Sequence, residues 1–259
     1  MKKTYFILLL FAPYFVFSQE PLKRKEKILY KHERNFGVNV HSLGWGLHAR
    51  KLWNDNVKWL HFLEVDAVSM KHPKQVKTIN TFFSNAKGYD YGKQNSTFFI
   101  RLGYGKQLIL FDKADFGGIM VSAIGAGGVS LAFLKPVYLE ILYADDISNE
   151  FYVETEKYSP TEHTPYNIYG RASYFKGFDE MQLQVGSYLK AGFSFEFSKK
   201  DELIRSIEAG ISIDAFKIGD NIIVGDALGK ELSIMAIAKN KQTFLSFYIN
   251  MNFFFGKKW

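Results

Sequence analysis

Between Thr243 and Phe255 the chain alternates without a break. Leu245, Phe247, Ile249, Met251, Phe253 and Phe255 occupy every second position, and Ser246, Tyr248, Asn250 and Asn252 stand between them. A pleated strand sends successive side chains to opposite faces. This segment therefore reads as a strand with one continuous apolar face and one polar face. The question for the remaining residues is what solvent that apolar face meets.

The same period recurs along the chain. Phe36, Val38 and Val40 alternate with Gly37 and Asn39, and the phase then reverses to Leu43, Trp45, Leu47 and Ala49, with His48 and Arg50 between. A tight hairpin at His41-Ser42-Leu43-Gly44 absorbs that slip, because a one-residue shift exchanges the two faces. Trp59, His61, Leu63, Val65 and Ala67 form the next apolar face, opposite Glu64 and Asp66. Phe98, Ile100, Leu102, Tyr104, Leu108 and Leu110 oppose Arg101, Gly103, Gly105 and Gln107. A Gly-rich strand follows at Phe116 to Leu134. Leu183, Val185, Leu189, Ala191, Phe193, Phe195 and Phe197 then oppose Gln184, Tyr188, Lys190, Ser194 and Glu196. Ile207, Ala209, Ile211, Ile213 and Ala215 oppose Glu208, Gly210, Ser212 and Asp214. Short connections are expected at Asn54-Asp55-Asn56, 112–115 and 198–202. Long ones are expected at 71–93, 135–180 and 217–241, the last with a short helix near Ile234 to Ala238.

Composition narrows the solvent. Aromatic residues make up 17% of the 259 positions, at a mean hydropathy of only −0.12. That combination suits residues that alternate rather than cluster. Past residue 18 no run of about 18 apolar residues occurs, which excludes a transmembrane helix but not a membrane β-barrel. Residues 1–18 read as a signal peptide, with Lys2 and Lys3 ahead of an apolar stretch and Val16 and Ser18 at the −3 and −1 positions of the expected cleavage site. Its removal takes the formal charge from +7 to +5 through loss of Lys2 and Lys3. Residues 19–33 read as a basic periplasmic segment carrying Lys23, Arg24, Lys25, Lys27 and Lys31. There is no Cys, hence no disulfide, thiolate metal site or catalytic thiol.

Alternating short and long connections are the mark of outer-membrane barrels, with short periplasmic turns and long outer loops. The expected fold class is all-β, an antiparallel up-and-down transmembrane β-barrel over residues 34–259. Eight strands are expected, closed at the strand ending near Phe255. A barrel of this size is filled by its own side chains. Glu64, Asp66, Arg101, Lys190, Glu196, Glu208, Asp214 and Asn250 are expected to form a polar network in the lumen. The rival architecture, a soluble lipocalin-like barrel or sandwich, would turn the apolar faces inward. The mixed Gly, Ser, Gln and Asn content of the polar faces speaks against it, since a solvated exterior would be rich in Lys and Glu.

The signal ending Phe17-Ser18-Gln19 and the strand ending Phe253-Phe254-Phe255-Gly256-Lys257-Lys258-Trp259 resemble outer-membrane β-barrel proteins of Bacteroidota. So do KHPKQVK (71–77), YGKQNSTFFIRLGYG (91–105) and LKPVYLEI (134–141), which are similar to small OmpA/OmpX-like barrels of that phylum. The resemblance implies export by the general secretory pathway and outer-membrane localisation, and no established activity. It also implies an insertion signal read by the assembly machinery at Phe253, Phe255 and Trp259, with Phe255 nearest the usual terminal aromatic position.

No catalytic residue, cofactor or metal site is expected. The deacylase barrels place His and Ser two apart on a strand, whereas His41-Ser42 are adjacent and so face opposite ways. Glu64 with Asp66, or Glu208 with Asp214, have the composition of an acid/base pair, but Arg101 and Lys190 are at hand to pair them inside the barrel. Gly125-Ala126-Gly127-Gly128 lacks phosphate-loop spacing. Expected partners are outer-membrane lipid and lipopolysaccharide, the assembly machinery during insertion and proteins of an envelope complex, with no nucleic acid. The functional expectation is a structural or interaction role, with an accessory subunit of an assembly or secretion complex, a small-solute porin and a lipid A-modifying enzyme as alternatives.

Overall fold

The computed structural model describes residues 32–56, 58–83, 85–113, 118–144, 150–197, 204–216, 232–236 and 242–257. The signal peptide, most of the basic segment, the 198–202 turn and Trp259 lie outside the described residues. Eight long strands close into an antiparallel barrel. In chain order they are β1 (His32–His41), β2 (Gly44–Asn56), β3 (Trp59–Met70), β6 (Asn95–Phe111), β7 (Met120–Pro136), β11 (Gln182–Glu196), β12 (Ile204–Phe216) and β13 (Thr243–Lys257). Each pairs with its chain neighbour, and β13 closes on β1 with Phe253 opposite Phe36 and Ile249 opposite Val40. Closure leaves no free edge on the wall.

The first hairpin turns at Ser42-Leu43, where the phase reversal required it, and Val40 meets Trp45 across the ladder. Other boundaries differ from expectation. β1 begins at His32, two residues inside the stretch read as the basic terminus. Asn54-Asp55-Asn56 is not the second turn. β2 runs through it with a register irregularity between Asn54, opposite Leu60, and Asn56, opposite Trp59. A bulge spends the extra residue and lets the ladder continue past residues whose own preference is for turns.

The first two long connections are structured. The first contains the short pair β4 (Lys77–Thr78) and β5 (Tyr89–Asp90). The second is a three-stranded sheet of β8 (Tyr138–Ala144), β9 (Phe151–Lys157) and β10 (Ile168–Arg171), in the order β10-β8-β9. Leu139, Ile141, Tyr89, Tyr158 and Ile168 form a separate buried core, so the long-loop end carries a small head. Residues 234–236 are not helical, against the expectation for that stretch; 237 and 238 lie outside the described residues. Ile234 gives its carbonyl oxygen to the Gln94 and Asn95 N–H groups at 3.0 and 3.3 Å, and Met235 bridges Lys93. A carbonyl bonded to another segment is not available to its own chain four residues on.

Candidate functional site

Period two turns the barrel inside out relative to a soluble one. Outward residues Phe247 and Leu47 are 65% and 58% exposed, whereas inward Glu208 and Asp214 are 0% exposed. From Leu245 to Phe253 the apolar stripe of β13 rises about 20 Å once strand tilt is allowed for. That is close to the apolar band of a membrane barrel, about 25 Å tall.

Inside, the lumen is stacked in three storeys. At the long-loop end Val68, Met70, Phe99, Leu134, Phe216 and Phe244 pack with Leu232, Ile234 and Met235 as an apolar plug. Near the short turns Leu52, Leu60, Phe62 and Ile124 form a smaller one. Between them lie the charges. Arg50 bonds Glu64 at 2.8 Å and Glu208 at 3.0 Å. Lys190 stands 3.3 Å from Glu64, 3.4 Å from Asp66 and 3.6 Å from Glu208. Arg101 holds Asp214 through two bonds of 2.9 and 2.5 Å, and the Ser130 hydroxyl donates to the same carboxylate at 2.9 Å. Tyr188 and Tyr248 donate to Glu64 and Glu208, each at 2.9 Å. Buried charges survive only when paired and hydrogen-bonded, and this network pairs each of them.

Seven of the eight residues expected in the lumen are in it and buried: Glu64, Asp66, Arg101, Lys190, Glu208, Asp214 and Asn250. Glu196 stands apart, pairing with Lys113 at 2.6 Å at the short-turn mouth. Arg50, His48, Tyr188 and Tyr248 complete the network. Their polar-face phase was visible in the sequence, but their reach across the barrel was not. Phe253 points outward, 45% exposed. Phe255 continues β13, but its side chain lies outside the described residues.

Glycines make room for the aromatic members. A Cβ on Gly103 would collide with the Tyr188 hydroxyl. On Gly192 and Gly210 it would stand 2.7 and 2.9 Å from the Tyr248 hydroxyl. Small residues on the lumen face thus seat the rings that hold Glu64 and Glu208.

Two constellations resemble chemistry without supporting it. His48, Glu64 and Asp66 offer donor atoms within 4.8 Å of one another. Lys190 and Arg50 already neutralise those carboxylates, so a divalent cation would meet two fixed positive charges in a buried site. In the head His163 lies beside Ser159 and Glu156. Its Nδ1 accepts from the Ser159 backbone N–H at 3.0 Å and its Nε2 meets Glu156 at 3.1 Å. Both ring nitrogens are engaged, and neither is left to take a proton from the Ser159 hydroxyl, which a nucleophilic serine requires.

The head presents exposed rings, among them Phe82, Phe151, Tyr166, Tyr174 and Phe175. Lys135 faces outward at the top of β7 and is covered by the 172–178 loop. Its ammonium bonds the Tyr174 and Lys176 carbonyls at 2.7 and 3.2 Å and lies 4.6 Å from the Tyr174 ring centroid. Glu180 ties the same loop down, accepting from Lys157 at 2.7 Å and from the Tyr138 hydroxyl. The bond to Glu180 pushes Tyr138 up to about 12. The bonds from Lys157 and Tyr138 hold the Glu180 carboxyl below its ordinary value.

These features define a class: a closed, side-chain-filled, eight-stranded barrel with an apolar exterior. No family model matches the chain, and no curated protein matches it. Among solved structures, Neisserial surface protein A aligns over 87% of this chain and 96% of its own, at 7% identity and a TM-score of 0.40. Ail, the attachment invasion locus protein of Yersinia pestis, aligns over 88% of this chain and 100% of its own, at 6% identity and a TM-score of 0.38. The same protein in complex with the heparin analogue sucrose octasulfate aligns over 86% and 97%, at 8% identity and a TM-score of 0.38. Likeness at this level identifies neither a family nor a function.

Proposed function

We propose that the chain is an integral outer-membrane barrel that carries an ordered head at the membrane surface and acts by binding rather than by catalysis. The observation that carries this reading is the inverted wall: bulky apolar side chains cover the outside while the charged residues of the same strands are buried. In water such a surface would be far larger than the exposed patches of soluble monomers. In a bilayer it is the required surface, and closure satisfies every wall strand. On this reading the short turns and the basic segment are periplasmic. The head and the basic Lys71–Lys77 stretch face outward, next to anionic lipopolysaccharide. The apolar plugs and the paired charges speak against a porin.

Reconstitution tests it. The refolded chain should insert into vesicles, run faster on a gel unheated than boiled, and leave planar bilayers without conductance steps. A chain that remains soluble and monomeric without detergent would sink the membrane reading, and discrete channels would restore the porin. A second reading, an accessory subunit of an envelope assembly or secretion complex, is favoured by β9. It is the outer strand of its sheet, paired only with β8 among the described residues, and its side chains are largely exposed. Such an edge can accept a strand from a partner. Stoichiometric co-purification from gently solubilised membranes, lost when β9 carries a proline at Val153, would support it.

A further inference from the structure

The outer wall is not uniformly apolar. Arg34 on β1, Lys51 on β2 and Lys106 on β6 point outward from the short-turn part of the wall and are exposed. None of the three forms an ion pair with another described residue. Arg34 and Lys51 face each other directly across the β1–β2 ladder. Paired positions on one face are about 5 Å apart, a spacing at which like charges repel unless an anion lies between them. Beside them Trp53, His61 and Tyr104 form a ring platform, with centroids 6.1 Å apart for Trp53 and His61 and 5.9 Å for His61 and Tyr104. The His61 ring bonds the Tyr104 hydroxyl.

Toward the middle of the wall an open apolar furrow of about 300 Å³ follows. Ala49 and Ala67 are its small outward residues and Phe36, Leu47 and Val65 its large ones, with Gly37 and His48 completing the lining. Phe36, Ala49 and Val65 lie at one level of the ladder. A methyl group between two bulky side chains leaves the gap. Ala49 is two residues from Lys51 on the same face, and Phe36 two from Arg34, so the furrow opens onto the cation pair.

We propose that this furrow and the Arg34–Lys51 pair seat one anionic phospholipid of the leaflet at the short-turn end. An acyl chain fills the furrow, the phosphate lies on the two cations, and Trp53, two residues beyond Lys51 on the side away from the furrow, lies beside the headgroup. Lys106, across the platform, adds to the attraction. The inference rests on the membrane reading above. Charge complementarity and continuity with the apolar wall select this occupant. A protein strand cannot add here, because the closed ladder leaves no free backbone groups. A second copy docked through the same face would bring Arg34 and Lys51 toward their own equivalents. Aromatic rings at the interface with cations reaching the headgroups are the ordinary physics of a membrane boundary. The furrow is what makes one lipid specific.

The test is native mass spectrometry of the full barrel released from nanodiscs of phosphatidylethanolamine containing either phosphatidylglycerol or phosphatidylcholine. The wild type should retain one phosphatidylglycerol and no phosphatidylcholine. With each cation contributing about five-fold in affinity, R34Q/K51Q should lower retention about twenty-five-fold. A49F should abolish it by filling the furrow while leaving both charges in place. Each variant should still show heat-modifiable mobility, which separates loss of the lipid from loss of the barrel. A chain that never inserts would overturn the membrane reading itself. An inserted barrel that retains both lipids equally, or retains phosphatidylglycerol unchanged in A49F and R34Q/K51Q, would overturn the seat alone. Displacement of the lipid by soluble glycerophosphate would also overturn it, since that would mark a phosphate site that does not need the furrow.

Discussion

The lumen network makes a sharp prediction at Asp214. Its side chain is fully buried, it takes two bonds from Arg101 and one from Ser130, and the Arg101 side chain is itself 2% exposed. Asp214→Ala leaves a guanidinium buried without its main partner, at a cost of about 3–5 kcal/mol. The Ser130 hydroxyl loses its acceptor, adding about 1 kcal/mol. Replacing both charges by apolar groups of similar size, Arg101→Met with Asp214→Leu, removes the desolvation cost along with the attraction. That double variant should lie within about 1 kcal/mol of the wild type or slightly above it. The assay is reversible urea unfolding in lipid vesicles, followed by tryptophan fluorescence. Asp214→Ala should shift the curve strongly, and the double variant should shift it back. If the single variant unfolds with the wild type, or the double variant is as unstable as the single, the account of the lumen as a paired polar core is wrong.

Three other outcomes are expected. Ile249 is 49% exposed in the middle of the β13 stripe, and Ile249→Lys should cost about 2–4 kcal/mol in bilayer stability, read as a lower unfolding midpoint and poorer insertion. Gly192→Ala sets a methyl group 2.6 Å from the Ala209 carbonyl and 2.7 Å from the Tyr248 hydroxyl. Overpacking of that kind costs about 1–3 kcal/mol, read as a lower unfolding midpoint in the same assay. In the head, the folded-state pKa of Glu180 is depressed below its ordinary 4.5 by Lys157 and Tyr138. Its contribution is therefore complete above that value and is lost as pH falls through the folded pKa. Hydrogen exchange across 172–181, relative to the intrinsic rate, should rise as the pH falls through the depressed pKa of Glu180 in the wild type, while Glu180→Gln should exchange fast at neutral pH already.

The wall strands were legible because period two is local. Leu245 to Phe255 announces two faces from its own residues, and the reversal between Val40 and Leu43 located the first hairpin before any partner strand was known. Turn chemistry was a poorer guide. Asn54 to Asn56 has the residues of a turn, but the β2–β3 ladder continues through it, since a bulge costs less than giving up the pairing beyond it. The head was missed for a related reason. Leu139 and Ile141 alternate as the wall residues do, but a short sheet is stable only when another segment covers it, and Tyr89, Tyr158 and Ile168 come from three separate stretches.

The sequence by itself determined that this chain is a barrel with an apolar outside and a charged inside, because alternation decides on which face each side chain falls. Which charge meets which was decided only by the tertiary structure. Arg50 and Glu208 are 158 positions apart, and nothing in either neighbourhood names the other. They meet because closure of β13 on β1 fixes the register of every strand, and register sets the height at which each inward side chain enters the lumen. The β1–β2 and β2–β3 ladders bring Phe36, Ala49 and Val65 level on the outside, making a furrow that no single strand contains.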